Sequence, residues 1–206
     1  MDHSGPPWST VVHVPRMTKE QIDEEILETA AALFARHGIG QTSLQRVADA
    51  VGYSKTGLLH RFPTKEALEE ATVAHAVERV ERIAARVSPL PPGPARDRAV
   101  LEALADLAEH RPGLVSFLLT ALSQGSAAAG RLDVLGEVVF RSFGAGSVPA
   151  GEPLPPEAVA RGVRITSAIG GLAVTSLAFC DLAPGAVRPH LLAAALGALG
   201  HPDQED

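Results

Sequence analysis

The sequence predicts an all-α protein of about nine helices, and three observations support that prediction. The 206 residues are 46% hydrophobic but only 4% aromatic, and Ala, Leu and Val supply most of the apolar mass. Apolar residues recur at the helical spacing of about 3.6 residues along most of the chain, and no useful run alternates with the period of a strand. Segments rich in Pro and Gly interrupt this pattern and divide the chain into separate helices.

Individual residues mark where several of these helices begin and end. Gly38 ends the first helix after His37, and the hydroxyl of Ser54 can cap the third. The predicted helices lie at 22–37, 43–50, 54–61, 63–87, 95–110, 112–124, 129–144, 156–181 and 187–199. The breaks between the later helices are the Pro-containing runs 88–94, 147–156 and 183–185.

Charge is distributed unevenly along the chain, which has a formal net charge of −6 at pH 7. Residues 33–65 carry five basic side chains against the single acid Asp49. The overall negative charge argues against a protein that coats nucleic acid non-specifically, whereas a basic segment in an acidic protein is typical of a local anion contact. A solvated basic face is the alternative interpretation.

Several classes of protein are excluded by simple counts. The one cysteine, Cys180, excludes a disulfide framework and a Cys-based zinc site, and we expect it to be a small core residue rather than a thiol sensor. The longest uncharged stretch, 165–180, is too short to span a membrane. The first 17 residues lack the pattern of a signal peptide. We therefore expect a soluble, cytoplasmic protein whose extension 1–17 is disordered.

A helix-turn-helix is predicted over residues 43–62. Ala48 is small enough for the closest approach of two short helices, and Gly52, four positions later, tolerates the positive φ of a tight turn. The apolar Val47, Val51 and Leu58 fall on the faces that should meet. Polar side chains are left outward on the second helix, which suits a helix lying in the major groove of DNA. A generic helical hairpin is the alternative.

The same segment resembles the TetR family of bacterial transcriptional regulators from about residue 18 to 68. The motifs are Ala-x-Leu-Phe-Ala-x-x-Gly (31–38), Thr-Ser-x-x-x-Val-Ala (42–48), Val-Gly-Tyr-Ser-Lys (51–55) and Phe-Pro-Thr-Lys-Glu-Ala-Leu (62–68). The resemblance implies a three-helix DNA-binding domain at 18–64, then a helical effector-binding and dimerisation domain at 65–201 and a short tail at 202–206. It further implies a homodimer, most often a repressor that a small molecule releases from operator DNA.

The resemblance also implies which side chains contact DNA. Phosphate contacts fall at the start of the second helix, the end of the third and the start of the fourth, and base contacts fall on the third. The predicted DNA-contacting residues are Thr42, Ser43, Ser54, Lys55, Thr56, Gly57, Leu59, His60, Arg61 and Lys65. Two positions depart from the usual family pattern. Gly57 follows Thr56 instead of preceding it, and Leu59 replaces a common Tyr whose hydroxyl contacts a phosphate, a contact that His60 or Arg61 could make instead.

The second domain offers an effector pocket and a dimer interface. Phenylalanines on the helices that surround the family's cavity are candidates for pocket walls, although ordinary core packing explains each one equally well. The predicted pocket residues are His75, Arg79, Leu104, Phe117, Leu118, Phe140, Phe143 and Ile169. Small and apolar residues on the last two helices predict the interface between protomers. They are Gly170, Gly171, Leu191, Leu192, Leu196 and Leu199.

We expect no metal, no cofactor and no enzymatic activity. The eight histidines are scattered, and no pair has the i, i+4 spacing that puts two imidazoles on one helix face. No Gly-rich phosphate loop and no nucleophile elbow occur. A second hypothesis stays open, namely an all-α ligand-binding protein or enzyme whose helix-turn-helix is vestigial. The unusual Gly57 and Leu59 are the features that favour it.

Overall fold

The structure is a computed structural model that describes residues 17–124, 129–146 and 155–201. In these ranges the chain forms nine α-helices and no strand, which confirms the predicted all-α class. The helices are α1 (Lys19–His37), α2 (Leu44–Ala50), α3 (Lys55–Arg61), α4 (Lys65–Val87), α5 (Pro94–His110), α6 (Pro112–Gln124), α7 (Ala129–Ser142), α8 (Pro156–Ala178) and α9 (Pro184–Leu199).

The first four helices begin at hydroxyl side chains. Thr18 forms a capping box with Gln21 at the start of α1, in which each side chain accepts a hydrogen bond from the other's backbone N–H. Ser43, Ser54 and Thr64 accept from the third backbone N–H of α2, α3 and α4. The cap that the sequence predicts at Ser54 is therefore confirmed.

The buried residues form two hydrophobic clusters. The first joins α1, α2, α3 and α4 to α6 and α7, with Phe34 of α1 tilted against Phe117 of α6 at a ring-centroid distance of 5.8 Å. The second joins α5, α8, α9 and the end of α4. The first cluster therefore crosses the predicted domain boundary at residue 64, because α6 and α7 complete the core of the N-terminal helices.

The closest contact across that boundary lies between α1 and α6. A Cβ added to Gly113 of α6 would lie 2.7 Å from the Cβ of Ala32 on α1. Only glycine lets the two helices approach this closely without a shift of one of them. The N-terminal helices are thus held directly against the second domain.

Several predicted helix bounds differ from the structure, among them the start of α1, which is Lys19 rather than 22. The last residue of α8 is Ala178 rather than 181, where Phe179 donates its backbone N–H to Thr175 and the helix stops. The helix α9 begins at Pro184 rather than 187, since proline fits the first helical position, where no N–H is needed. The helix α7 ends at Ser142, before a turn at Gly144 with φ of 71°.

The predicted extension 1–17 and tail 202–206 lie, except for Met17, outside the described residues. No helix of the described chain is both long and apolar enough to cross a membrane.

Candidate functional site

The helix-turn-helix is formed by α2 and α3. Val47 and Ala48 of α2 and Leu58 of α3 are fully buried where the two helices meet. Gly52 has a φ of 70° in the turn, and the N–H of Tyr53 donates to the carbonyl of Ala48 at 2.8 Å. Each of these placements agrees with the sequence prediction.

One face of α3 is polar and exposed. Lys55, Thr56 and His60 are all exposed, while Leu58 faces the core behind them. Gly57 donates its backbone N–H to the capping Ser54 Oγ at 3.0 Å, and a Cβ at Gly57 would lie 3.1 Å from that oxygen. The helix forms despite its glycine because the serine cap takes up that N–H.

Thr42 is not part of this exposed surface. Only 1% of the residue is exposed, and its hydroxyl donates towards the carbonyls of Gly38 at 2.9 Å and Leu33 at 3.2 Å. The predicted phosphate contact by the Thr42 side chain is therefore wrong, because its hydroxyl is used to close the end of α1. The neighbouring Ser43 is exposed and caps α2.

Arg61 and Lys65 have partners within the protein. The guanidinium of Arg61 forms an ion pair with Asp23 of α1 and is only partly exposed. The ammonium of Lys65 donates to the carbonyl of Gly40 at 3.1 Å, which ties the start of α4 to the loop before α2. Both side chains therefore hold the domain together, and Lys65 keeps further N–H groups for another acceptor.

A basic group at the end of α1 was not among the predicted contacts. Arg36 and Arg46 are exposed, and His37 interacts electrostatically with the positive charges of both. Partial desolvation lowers the pKa of His37 below its usual 6.5, and the positive charges of Arg46 and Arg36 lower it further. The excess of positive charge over residues 33–65 was the sequence feature that indicated this surface.

A charged cluster connects α1 to the second domain. His75 Nε2 of α4 lies 3.1 Å from Glu28 Oε1, and Arg79 forms an ion pair with Glu24. Arg111, between α5 and α6, approaches Glu24 at 3.2 Å and Glu28 at 3.5 Å. The side chains of His75 and Arg79 therefore face α1, and their predicted place in an effector pocket is wrong.

The same cluster has the composition of a metal site but not its charge balance. Ligand atoms of Glu24, Glu28 and His75 lie within 4.8 Å of one another. Both carboxylates already face guanidinium groups, which supply the positive charge that a cation would bring. Burial, then the charges of Arg82 and Arg111, lowers the pKa of Arg79.

A cavity of about 280 Å³ lies among α4, α5, α6, α7 and α8. Four predicted pocket residues line it, namely Leu104, Leu118, Phe140 and Ile169. Phe117 and Phe143 do not, because each is 1% exposed within one of the two hydrophobic clusters. The sequence analysis missed the other walls of the cavity, which no local pattern distinguishes from core. They are Val80, Ala108, Val115, Leu119, Leu135, Gly136, Val139, Thr166, Gly170, Leu172 and Ala173.

A wider groove adjoins this cavity between α7 and the start of α8. The two spaces share Gly136, Phe140 and Thr166, so these residues border both. The groove also contains Arg161, whose guanidinium binds the buried carboxylate of Asp97 at 2.7 and 2.8 Å. The charge of Arg161 is therefore balanced within the protein.

The outer surface of α8 carries exposed apolar residues. Val163 and Val174 are 60% and 57% exposed, and they lie on the same face of α8 because eleven residues make about three turns. Phe179 and Leu182 continue the apolar surface beyond the helix, at 49% and 54% exposure. Cys180 lies between them and is exposed, so the expectation that it is a core residue is wrong, because α8 ends before it. Gly171 also lines a groove of about 330 Å³ between α8 and α9.

Several predicted interface residues lie elsewhere. Leu191, Leu196 and Leu199 are buried within the second cluster of their own chain, and Leu192 packs against it. Gly170 borders the internal cavity. Their predicted role in a dimer interface is therefore not supported by their positions, and the apolar surface of α8 is the better candidate.

The fold and the site define a class of protein. It is a helical protein with an N-terminal helix-turn-helix whose second helix is exposed and polar, joined to a helical domain that contains a cavity. Residues 26–72 match the family model of bacterial regulatory proteins, tetR family. This match covers the helix-turn-helix region, whose motifs resemble the same family.

Comparison with solved structures shows proteins with a similar overall fold. PfmR, a TetR family transcriptional regulator from Thermus thermophilus, has a TM-score of 0.63 at 21% identity, covering 92% of this chain and 100% of that one. AibR in complex with isovaleryl coenzyme A and operator DNA has a TM-score of 0.63 at 20% identity, covering 88% and 100%. The ketosteroid transcriptional regulator KstR2 of Mycobacterium tuberculosis has a TM-score of 0.55 at 17% identity, covering 92% and 98%. A comparison with curated proteins finds no match.

Proposed function

We propose that this protein is a DNA-binding transcriptional regulator that represses by occupying an operator and dissociates when a small molecule binds its second domain. The observation that supports DNA binding best is the exposed polar face of α3, backed by the fully buried Leu58, in a region that matches the tetR family. A helix presented in this way fits the major groove of DNA.

Different residues of this surface have different roles in the proposal. Lys55 and Thr56 open α3, where side chains reach base edges, and His60 lies one turn further along. Lys65 lies outside α3 and binds a phosphate with the N–H groups that it does not donate to Gly40. Thr42 is left out, because its hydroxyl points into the domain.

The proposed functional unit is a homodimer built on α8. The exposed Val163, Val174 and Phe179 form an apolar surface that a second copy of the chain would cover. An isologous contact between two such surfaces would place two α3 helices on successive major grooves, about one turn of DNA apart.

The cavity is the proposed effector site. Its walls include Val80 of α4 and Leu118 of α6, and both helices contact α1. Two solved structures of a similar fold agree with an effector-responsive regulator, since AibR was crystallised in complex with isovaleryl coenzyme A and operator DNA and KstR2 is described as a ketosteroid transcriptional regulator. An effector that prefers a different arrangement of α4 and α6 shifts the population away from the DNA-bound form.

A salt titration with three variants tests the DNA-binding surface. The probes are a duplex selected from a random pool by the wild-type protein and a scrambled duplex of the same composition. Thr56→Ala should lose about 1–3 kcal/mol on the selected duplex alone, because it removes a base contact. Lys65→Ala should weaken binding to both duplexes and reduce the salt dependence by about one phosphate contact.

Arg98→Ala is the matched control for loss of a positive charge, since Arg98 is exposed on α5, away from α3. Its binding curves should follow the wild type. If Thr56→Ala and Lys65→Ala also follow the wild type, then α3 does not contact DNA. That result would favour the second hypothesis, a ligand-binding protein with a vestigial helix-turn-helix.

A further inference from the structure

The walls of the cavity are almost entirely apolar. Among the described residues that line it there is no Asp, Glu, Lys, Arg or His, and Thr166 supplies the single side-chain hydroxyl. The remaining wall is made of aliphatic side chains, two glycines and the ring of Phe140. A ligand in this space would lose its water and gain almost only apolar contacts.

The one polar side chain among the described wall residues also borders the outer groove. Thr166 and Phe140 border both spaces, and Thr166 is exposed. Its hydroxyl makes no hydrogen bond to another residue within 17–124, 129–146 or 155–201. It can therefore donate to or accept from one polar group at that end of a ligand.

Charged residues line the outer groove but not the cavity. Glu137 and Arg161 line the groove but not the cavity, and Arg161 is bound to Asp97. The charged cluster of Glu24, Glu28, His75 and its arginines faces α1 and also lies outside the cavity walls. A charged group of a ligand placed beside Ile169 would therefore find no side chain of opposite charge among the described residues of the cavity wall.

We propose that the effector is a neutral, largely apolar small molecule that places one hydroxyl, carbonyl or amine at Thr166 and its hydrophobic body among α5, α6, α7 and α8. This inference rests on the proposed function, which makes the cavity an effector site. The volume of about 280 Å³ lies at the small end of ligand sites, which range from about 300 to 1,000 Å³. Carboxylates, phosphates and ammonium groups are excluded from the inner part, because burial of an unpaired charge is strongly unfavourable.

Two fluorescent probes that differ by one charged group test this ligand class. N-phenyl-1-naphthylamine is neutral, and 8-anilinonaphthalene-1-sulfonate has the same ring system with an added sulfonate. Titrated into the full-length protein without DNA, the neutral probe should saturate at one per chain. It should bind at least tenfold more tightly than the anionic probe.

Two tryptophan variants locate the bound probe. Ile169→Trp places a larger side chain in the cavity and should weaken binding of the neutral probe at least tenfold. Val134→Trp is the matched control, because Val134 is 43% exposed on α7 and is absent from the walls of the cavity and the adjoining groove. It should leave the affinity for the probe unchanged. Far-UV circular dichroism of both variants checks that each is folded.

Thr166→Val gives an independent test, because valine and threonine side chains have nearly the same volume. It removes the hydroxyl and should weaken the amine-bearing probe by about threefold to tenfold, while leaving the affinity for naphthalene itself unchanged. Equal weakening of both compounds would contradict the polar contact at Thr166.

The outcomes separate this inference from the proposed function. If the anionic probe binds as tightly as the neutral one, or if Ile169→Trp leaves the neutral probe unaffected, the inferred ligand class is wrong whatever the protein does on DNA. If the neutral probe binds as expected but the wild type does not bind the selected duplex, the ligand class stands and the proposed DNA-binding function fails.

Discussion

The helices of the N-terminal third begin differently from those of the second domain. Each of α1 to α4 starts at a Ser or Thr whose side chain accepts a backbone hydrogen bond, at distances of 3.0 to 3.2 Å. By contrast, α5, α8 and α9 start at Gly93, Pro155 and Ala183 without any side-chain cap, and each has proline in its first turn.

The two regions also differ in the number of large apolar side chains that they expose. No large apolar side chain of α1–α4, which lie wholly within the described chain, is exposed. Five of the eight exposed large hydrophobic residues of the described chain lie between Val159 and Leu182.

These differences show how each region is specified. The helices α2 and α3 have seven residues each, too few to be stable alone, so local caps must help to define them. The helix α8 has 23 residues and is stabilised by packing on α5, α6 and α9. Its apolar face is exposed in a single chain, whereas the exposed face of α3 is polar.

The largest effect is expected from a charge on the apolar face of α8. Val174→Glu should convert a dimer to monomers, because a buried, unpaired carboxylate cannot be tolerated between two apolar surfaces. Operator affinity should fall by about a hundredfold or more, since the two half-sites are no longer bound by one linked particle. Light scattering gives the mass, and a gel shift gives the affinity.

Two further variants make this experiment decisive. Gly171→Glu should also give monomers without strain in the single chain, because nothing lies within 4 Å of a Cβ added there. Val134→Glu, on the exposed face of α7, should remain dimeric. A dimer mass for both α8 variants would show that the apolar face is not the interface.

A smaller effect is expected at the helix caps, in opposite directions in the two regions. Ser54→Ala should lower the free energy of unfolding by about 1 kcal/mol, because the N–H of Gly57 loses its acceptor. Ala183→Ser should raise it by about 0.5–1 kcal/mol, since Ala183 already has the extended backbone of a cap with φ of −58° and ψ of 130°. Urea denaturation measures both changes.

The two changes in the free energy of unfolding need not be equal in size, but each must have the expected sign. If Ala183→Ser destabilises the protein, or Ser54→Ala has no effect, then local capping does not distinguish the two regions.

The smallest effect concerns the pH dependence of the N-terminal domain. The folded protein holds the pKa of His37 below 6.5, chiefly through desolvation and then through Arg46 and Arg36. The unfolded chain therefore binds this proton more readily. The contribution of neutral His37 to the free energy of unfolding is complete above pH 6.5. It is lost as the pH falls through the lowered pKa.

Replacement of His37 by Gln should remove this part of the pH dependence. The difference in unfolding free energy between pH 7.5 and 5.5 should be smaller in His37→Gln than in the wild type. His190→Gln, at an exposed position of α9, is the matched control and should retain the wild-type difference.

Local sequence features predicted the helix-turn-helix well. Ser54 as a cap, Gly52 with positive φ and Ala48 at the helix crossing each depend on a few neighbouring residues, and each lies where the sequence predicts. Thr42 was misplaced because a hydroxyl before a helix can equally bond to the preceding helix, as it does with Gly38.

The second domain was harder to predict because its sites depend on which helix faces which. A helical period assigns a residue to an apolar stripe but does not say whether the stripe meets its own chain or another. Leu196 and Leu199 therefore looked like interface residues and are core. His75 faces α1 rather than the cavity, because the partner that fixes its direction, Glu28, lies 47 residues away.

The helix α6 contacts α1 of the N-terminal domain and also forms part of the proposed effector site. Gly113 lets α6 approach Ala32 of α1, and one turn further on Leu118 and Leu119 form part of the cavity wall. Coupling through such an element is reciprocal. If an occupied cavity lowers the affinity for operator DNA by some factor, bound operator DNA must lower the affinity for the effector by the same factor. A cell with many operator copies would therefore need more effector to reach the same occupancy of the cavity, so the number of binding sites on the chromosome becomes part of the protein's sensitivity to its ligand.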